Sequence, residues 1–154
     1  MVDNLFVLYP EKVLLDTSIY ISNLKSGLYI DSLSKLFSFS IVHLHSTVFE
    51  ELLAGSRSDE ERGELYLLKE SFLEFERILT PTDQDWEETG LLVNRLIHKN
   101  ILSPKNAVSF THDVLLAVSV QRIGARLITE NRKDFERIQR LKDFKLTVWS
   151  GDFS

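Results

Sequence analysis

Four acidic positions stand where short apolar runs end or helical periods begin. Asp16 closes Val13-Leu14-Leu15, and Glu51 or its neighbour Glu50 follows Ile41-Val42-His43-Leu44-His45. Asp113 heads the apolar run to Ile123, and Asp134 lies just past Arg126 to Thr129. Brought together, four carboxylates form an all-oxygen site of the kind that Mg²⁺ or Mn²⁺ prefers, with water positions left open. Without a cation the same groups raise one another's pKa. The chemistry such a site supports is metal-assisted hydrolysis, in which a bound water attacks and no side-chain nucleophile is needed. Each acid also has a purely structural role open to it. Asp16 can cap a helix, Asp113 can complement a helix dipole, and Asp134 can stabilise the turn Asn131-Arg132-Lys133-Asp134-Phe135. Glu50 and Glu51 point about 100° apart on a helix, so only one of them can face a site.

Two other constellations are weaker. His43 and His45 alternate on a strand and point the same way, as two metal ligands would, but no third partner is evident and ordinary strand packing is the expectation. Asp16-Thr17-Ser18 is compatible with a phosphatase that forms an aspartyl-phosphate, yet that chemistry wants a second acid where the chain has Ser18. A non-catalytic interaction domain needs none of the four acids, so their joint presence argues against it.

The elements that must position these residues alternate between strand and helix. Val13 to Leu15 reads as a buried strand and Ser18 to Lys25 as a helix stopped by Gly27. Asp31 to Phe37 fits a short helix, and Ile41 to His45 a second strand. Thr47 with Glu50 spells a capping box for a helix ending near Gly55. Glu60 to Phe75 has apolar residues at Leu65, Leu68, Phe72 and Phe75, an amphipathic spacing suited to the core, to a groove for a partner segment, or to a homodimer seam. Ile78-Leu79 suggests a third strand, and Thr82 with Asp85 caps a helix through His98. Lys99 to Phe110 is expected as an extended loop containing Pro104. Asp113 to Ile123 is a helix ended by Gly124, Arg126 to Thr129 a fourth strand, Asn131 to Ile138 a short helix or turn, and Lys145 to Trp149 a fifth strand. This alternation predicts an α/β fold with a mainly parallel sheet covered on both faces.

Composition sets the outer bounds. At 154 residues, 44% hydrophobic and 27% charged, the chain is expected to form a single domain over 1–154. It holds no cysteine, which removes disulfides and thiolate metal sites and suits a reducing, cytoplasmic setting. No apolar run approaches the ~20 residues of a membrane span. A net charge of −5 excludes a protein that coats nucleic acid through a generally basic surface. Basic charge is instead local, because Arg122 to Lys145 holds eight basic residues against four acidic ones.

Four segments together resemble the PIN-domain nucleases, and among them the VapC-type toxins of bacterial and archaeal toxin–antitoxin pairs. They are Val13-Leu14-Leu15-Asp16-Thr17-Ser18, Glu51-Leu52-Leu53-Ala54-Gly55, Asp113-Val114-Leu115-Leu116-Ala117, and Leu127-Ile128-Thr129-Glu130-Asn131-Arg132-Lys133-Asp134-Phe135. The resemblance implies a three-layer α/β/α fold on a five-stranded sheet, acids lining one end, and Mg²⁺- or Mn²⁺-dependent endoribonuclease activity. It selects Glu51 over Glu50, making Asp16, Glu51, Asp113 and Asp134 the catalytic and metal-binding set. It assigns Thr17, Ser18, Thr129 and Asn131 to orienting the carboxylates or a metal-bound water. Arg132, Lys133 and Arg137, nearest in sequence, become the candidates for RNA phosphates. An antitoxin that places an Arg among the acids is the implied partner, together with a homodimer. Compact relatives are shorter between Gly55 and Trp86 and across Lys99 to Phe110.

Overall fold

A computed structural model describes residues 9–150. Five strands form one sheet: β1 (Lys12–Leu15), β2 (Ile41–His45), β3 (Ile78–Leu79), β4 (Arg126–Thr129) and β5 (Lys145–Val148). Their order is β3-β2-β1-β4-β5, and every pairing is parallel. Val13, Leu14, Leu15, Val42, Leu44, Leu127 and Ile128 are all buried, which is why these strands read as continuous apolar runs instead of alternating ones.

The helices are α1 (Thr17–Ser26), α2 (Ile30–Phe39), α3 (Ser46–Gly55), α4 (Asp59–Glu74), α5 (Asp83–His98), α6 (Ala107–Ile123) and α7 (Arg132–Gln139). Right-handed crossovers running outward from β1 to β3 place α1 to α4 on one face. The return from β3 to β4 and on to β5 places α5 to α7 on the other, and α5 packs on α6 and α6 on α7. The expected three layers follow. Gly27 and Gly124 end α1 and α6 with φ of 65° and 68°, the left-handed conformation for which glycine carries no side-chain penalty.

Two local expectations are corrected. The helix after β2 is not opened by a Thr47–Glu50 capping box: His45 is its N-cap, and its Nδ1 accepts the Thr47 amide at 3.2 Å. The helix carrying Asp113 begins six residues earlier, at Ala107, because Pro104–Asn106 forms a 3₁₀ turn that leads straight into it. The extended loop expected to reach Phe110 therefore stops at Ser103. Of the roles open to the apolar face of α4, Leu65 and Phe72 take the core one, and Leu68 is half-buried.

Capping at α5 is as the sequence indicates, with Thr82 Oγ1 accepting the Asp85 amide at 3.1 Å and Asp85 Oδ2 accepting the Thr82 amide at 3.0 Å. Asp85 does more than cap. Burial works against its charge, but Arg122 at 2.9 and 3.0 Å and the Thr82 amide outweigh that and hold its carboxyl below the ordinary range. Ser119 donates to it at 3.4 Å, and His45 Nε2 lies 3.1 Å from the same serine hydroxyl. Because Nδ1 accepts from Thr47, the imidazole carries its proton on Nε2 and donates it to Ser119. A buried chain thus links β2, α6 and α5, and His45 is part of the polar frame instead of ordinary strand packing.

His45 has no exposed surface, and burial depresses its pKa to about 4 from 6.5. A base with a depressed folded pKa contributes stability that is present above its unfolded value and is lost as pH falls toward the folded one. That contribution is about 3 kcal/mol at its full extent. We expect His45→Gln to be less stable than the parent at pH 7 and the gap to narrow steadily toward pH 4.5. Chemical denaturation of both proteins across that range checks it; a gap that stays constant contradicts a buried neutral His45.

Candidate active site

The chain leaves β1 at Leu15 and enters α1 at Thr17, so Asp16 occupies the single residue between strand and helix. It caps α1, with Oδ1 accepting the Thr17 amide at 2.8 Å. Its Oδ2 accepts Thr129 Oγ1 at 2.7 Å and Ser18 Oγ at 2.8 Å. Capping and site-building are therefore one role, not two alternatives. Only 7% of Asp16 is exposed, and that burial pushes its pKa up. The three donors lower it without cancelling the burial, and nearby Glu51 raises it further.

Glu51, on the inner side of α3, accepts a hydrogen bond from Thr17 Oγ1 on Oε2, and its Oε1 lies 2.9 Å from His112 Nδ1. Glu50 is exposed and makes neither contact. Asp134 sits in the first turn of α7, with its amide 3.3 Å from Asn131 Oδ1 and its Oδ2 accepting Asn131 Nδ2 at 3.0 Å. Arg137 donates to its Oδ1 at 3.2 Å. Thr17, Ser18, Thr129 and Asn131 thus each hydrogen-bond one of the acids.

Asp113 differs from the other three. It does not open a helix but lies about two turns into α6, beyond the reach of the N-terminal dipole. Among the described residues nothing donates a hydrogen bond to its carboxyl. Burial, followed by the charges of Asp16, Asp134 and Glu51, pushes its pKa up to about 8. The four acids therefore share one electrostatic neighbourhood at the carboxyl end of the sheet. Their side chains are not drawn to a single point: among the described residues no three His, Asp or Glu groups stand close enough to hold one ion as they are placed.

Of the three candidates for RNA phosphates, Arg137 is bound to Asp134 and Arg132 pairs with Glu136 at 3.0 Å, while Lys133 is exposed. Sequence reasoning missed His112, because the helix was expected to start one residue after it. It also left Glu130 without a role. Glu130 accepts Tyr29 OH at 2.5 Å and Ser22 Oγ at 2.9 Å, tying the first two helices to the end of β4. Tyr29 in turn stacks on Trp149 with ring centroids 5.1 Å apart. An acid directly after a buried strand end was the signal available for it.

This arrangement, acids at the carboxyl end of a parallel sheet where the strand order reverses, is the usual location of a ligand site in open α/β folds. Solved structures share the architecture. A chain of VapBC2 from Rickettsia felis, bound to a promoter DNA fragment, matches with a TM-score of 0.66 and 23% identity over 90% of this chain and 99% of the other. DNA-bound VapBC from Salmonella typhimurium matches at 0.66 and 21% identity over 91% and 99%. VapBC-1 from nontypeable Haemophilus influenzae matches at 0.63 and 23% identity over 90% and 98%. No protein-family model and no curated protein matches the sequence. The class defined is that of α/β chains with a five-stranded, all-parallel sheet. Within it, the chain has the PIN fold of the VapC type, and the likeness is one of fold.

An acid whose folded pKa is raised costs nothing below its unfolded value and costs progressively more as pH climbs to the folded one. In metal-free buffer Asp113→Asn should therefore be more stable than the parent, with the advantage growing from pH 5 to pH 8. Thermal melts with a chelator present test this; an advantage that shrinks with rising pH contradicts a crowded, uncompensated Asp113.

Proposed function

We propose that this chain is a metal-dependent endoribonuclease that hydrolyses RNA phosphodiester bonds and acts as the toxin of a toxin–antitoxin pair. The observation that carries the reading is that Asp16, Glu51 and Asp134 stand close enough to Asp113 to raise its pKa, while nothing among the described residues donates a hydrogen bond to it. The donor set is all oxygen, the chemistry that suits Mg²⁺ or Mn²⁺, and these four residues would hold the ion once their side chains turn toward one another. When bound, such an ion supplies an activated water and charge neutralisation at the scissile phosphate.

The chain's own residues do the positioning. Thr129, Ser18 and the Thr17 amide lock the Asp16 carboxylate, leaving its remaining lone pairs for the site. Thr17 and His112 hold Glu51 from either side, and Asn131 with Arg137 fixes Asp134. Asp113 holds a proton in much of the metal-free population near neutral pH. Lys133, the sequence neighbour of Asp134, is exposed and pairs with no acid among the described residues, which makes it the first candidate to meet an RNA phosphate.

Support for a protein partner comes from the VapBC complexes that share the fold and from a groove between α1, α2, α3 and α4. The groove encloses about 740 Å³, is walled by Leu24, Leu33, Phe37, Leu65 and Leu68, and opens at Glu51. An antitoxin segment lying there would bring a guanidinium toward Glu51 and the other acids, where its fork matches carboxylates bidentately. A homodimer belongs to the same reading, with the exposed Tyr66, Leu67 and Leu73 of α4 as its seam.

Purified parent protein should cleave single-stranded RNA with Mg²⁺ or Mn²⁺ and arrest growth when expressed alone in bacteria. Asp16→Asn should lower cleavage by on the order of 100-fold or more while folding normally, and should not arrest growth. Glu51→Gln should lose activity while Glu50→Gln stays near the parent. Undiminished cleavage by Asp16→Asn sinks the nuclease assignment; cleavage without growth arrest removes the toxin reading alone.

A further inference from the structure

We infer that Trp86 is a stacking platform for an unpaired nucleobase of the RNA, one that flanks the bond to be cut. The inference rests on the nuclease reading and extends it to how the substrate is held. Trp86 is the fourth residue of α5, three residues into a helix that starts just past the carboxyl end of β3. It is 48% exposed, a large indole left in water. With Ser46, Thr47, Thr80, Pro81, Glu50 and His112 it lines a shallow cavity of about 390 Å³, within the range of small-ligand sites.

Three observations direct that cavity toward a base. First, His112 forms part of its wall and contacts Glu51 at 2.9 Å, so the cavity adjoins the acids directly. Second, the backbone beneath the indole is fixed. The residue before Trp86 is the buried Asp85, fixed by Arg122 and by both arms of the Thr82 capping box, and the Trp86 amide donates to Thr82 O at 3.1 Å. With the backbone anchored, only the two side-chain torsions of the indole are left to be ordered when a ring stacks on it. Third, the Glu50 carboxylate in the wall repels phosphate, whereas a base is uncharged and offers amino and imino donors to a carboxylate. Single-stranded recognition of this kind puts bases on aromatic side chains and leaves the backbone to nearby cations.

The sequence contains two tryptophans, so Trp149→Phe leaves Trp86 as the only one. In that background, with Mg²⁺ present, a short single-stranded RNA should quench tryptophan emission on mixing. A sugar–phosphate chain of equal length lacking bases should not. In the parent background Trp86→Ala should raise KM for RNA cleavage by about tenfold, with the smaller share of the loss in kcat, and Trp86→Phe should restore most of it. Quenching by RNA from a parent that cleaves nothing removes the nuclease reading and keeps the stacking site. Cleavage with an unchanged KM in Trp86→Ala and no quenching overturns the stacking site and leaves the nuclease reading intact. Equal quenching by the base-free chain also overturns it.

Discussion

Carboxylates gathered in a partly buried place cannot all stay ionised unless something offsets their charge. The structure around Asp113 turns on that constraint. Asp16 has three hydrogen-bond donors, Glu51 has Thr17 and His112, and Asp134 has Asn131 and Arg137. Asp113 has none of these among the described residues and stands too far into α6 for its dipole to help. Burial first, and then the repulsion of the other three acids, push its pKa up to about 8. On the proposed reading, a divalent cation would supply the counter-charge.

The fold exists to bring those four residues from distant parts of the chain to one end of a sheet. Strand order β3-β2-β1-β4-β5 reverses between β1 and β4, and the acids cluster over that reversal. Thr129 at the end of β4 donates to Asp16 at the end of β1, so the two central strands are joined by the site itself. Glu130, one residue further, anchors Tyr29 and Ser22. On the other side, the His45–Ser119–Asp85–Arg122 chain locks α5 and α6 to β2 with neutral and charged partners fully matched. That frame sets the depth of α6, and hence where Asp113 and His112 stand, and it fixes the turn that displays Trp86.

Much of this was legible in the sequence for identifiable reasons. Buried parallel strands leave continuous apolar runs, which made β1, β2 and β4 readable, and Gly27, Gly124 and the Thr82–Asp85 box mark helix ends by local chemistry alone. Asp16, Thr129 and Asn131 were readable because each sits at a strand end or cap, where sequence position and spatial position coincide. Other features depended on contacts made across the fold. Nothing local says that His45 caps α3 in place of Thr47, since that depends on Ser119 and Asp85 fixing its ring from 74 and 40 residues away in sequence. The start of α6 was placed too late because Pro104 reads as a loop residue, whereas it opens a 3₁₀ turn that runs into the helix. That error hid His112, whose role exists only through Glu51. Arg137 was read as a phosphate ligand from its charge, whereas its proximity to Asp134 one turn away engages it within the protein.

The central claim is that burial and the neighbouring acids keep the Asp113 carboxyl protonated near neutral pH, and that a divalent cation would favour its ionised form. Carbon-detected NMR of the Asp113 carboxyl across pH, first metal-free and then with saturating Mg²⁺, measures it directly. The account predicts a midpoint near 8 without metal, and a fall by several pH units toward the ordinary carboxylate range when Mg²⁺ is added. A midpoint already in the ordinary range without metal, or one that Mg²⁺ leaves in place, would contradict it.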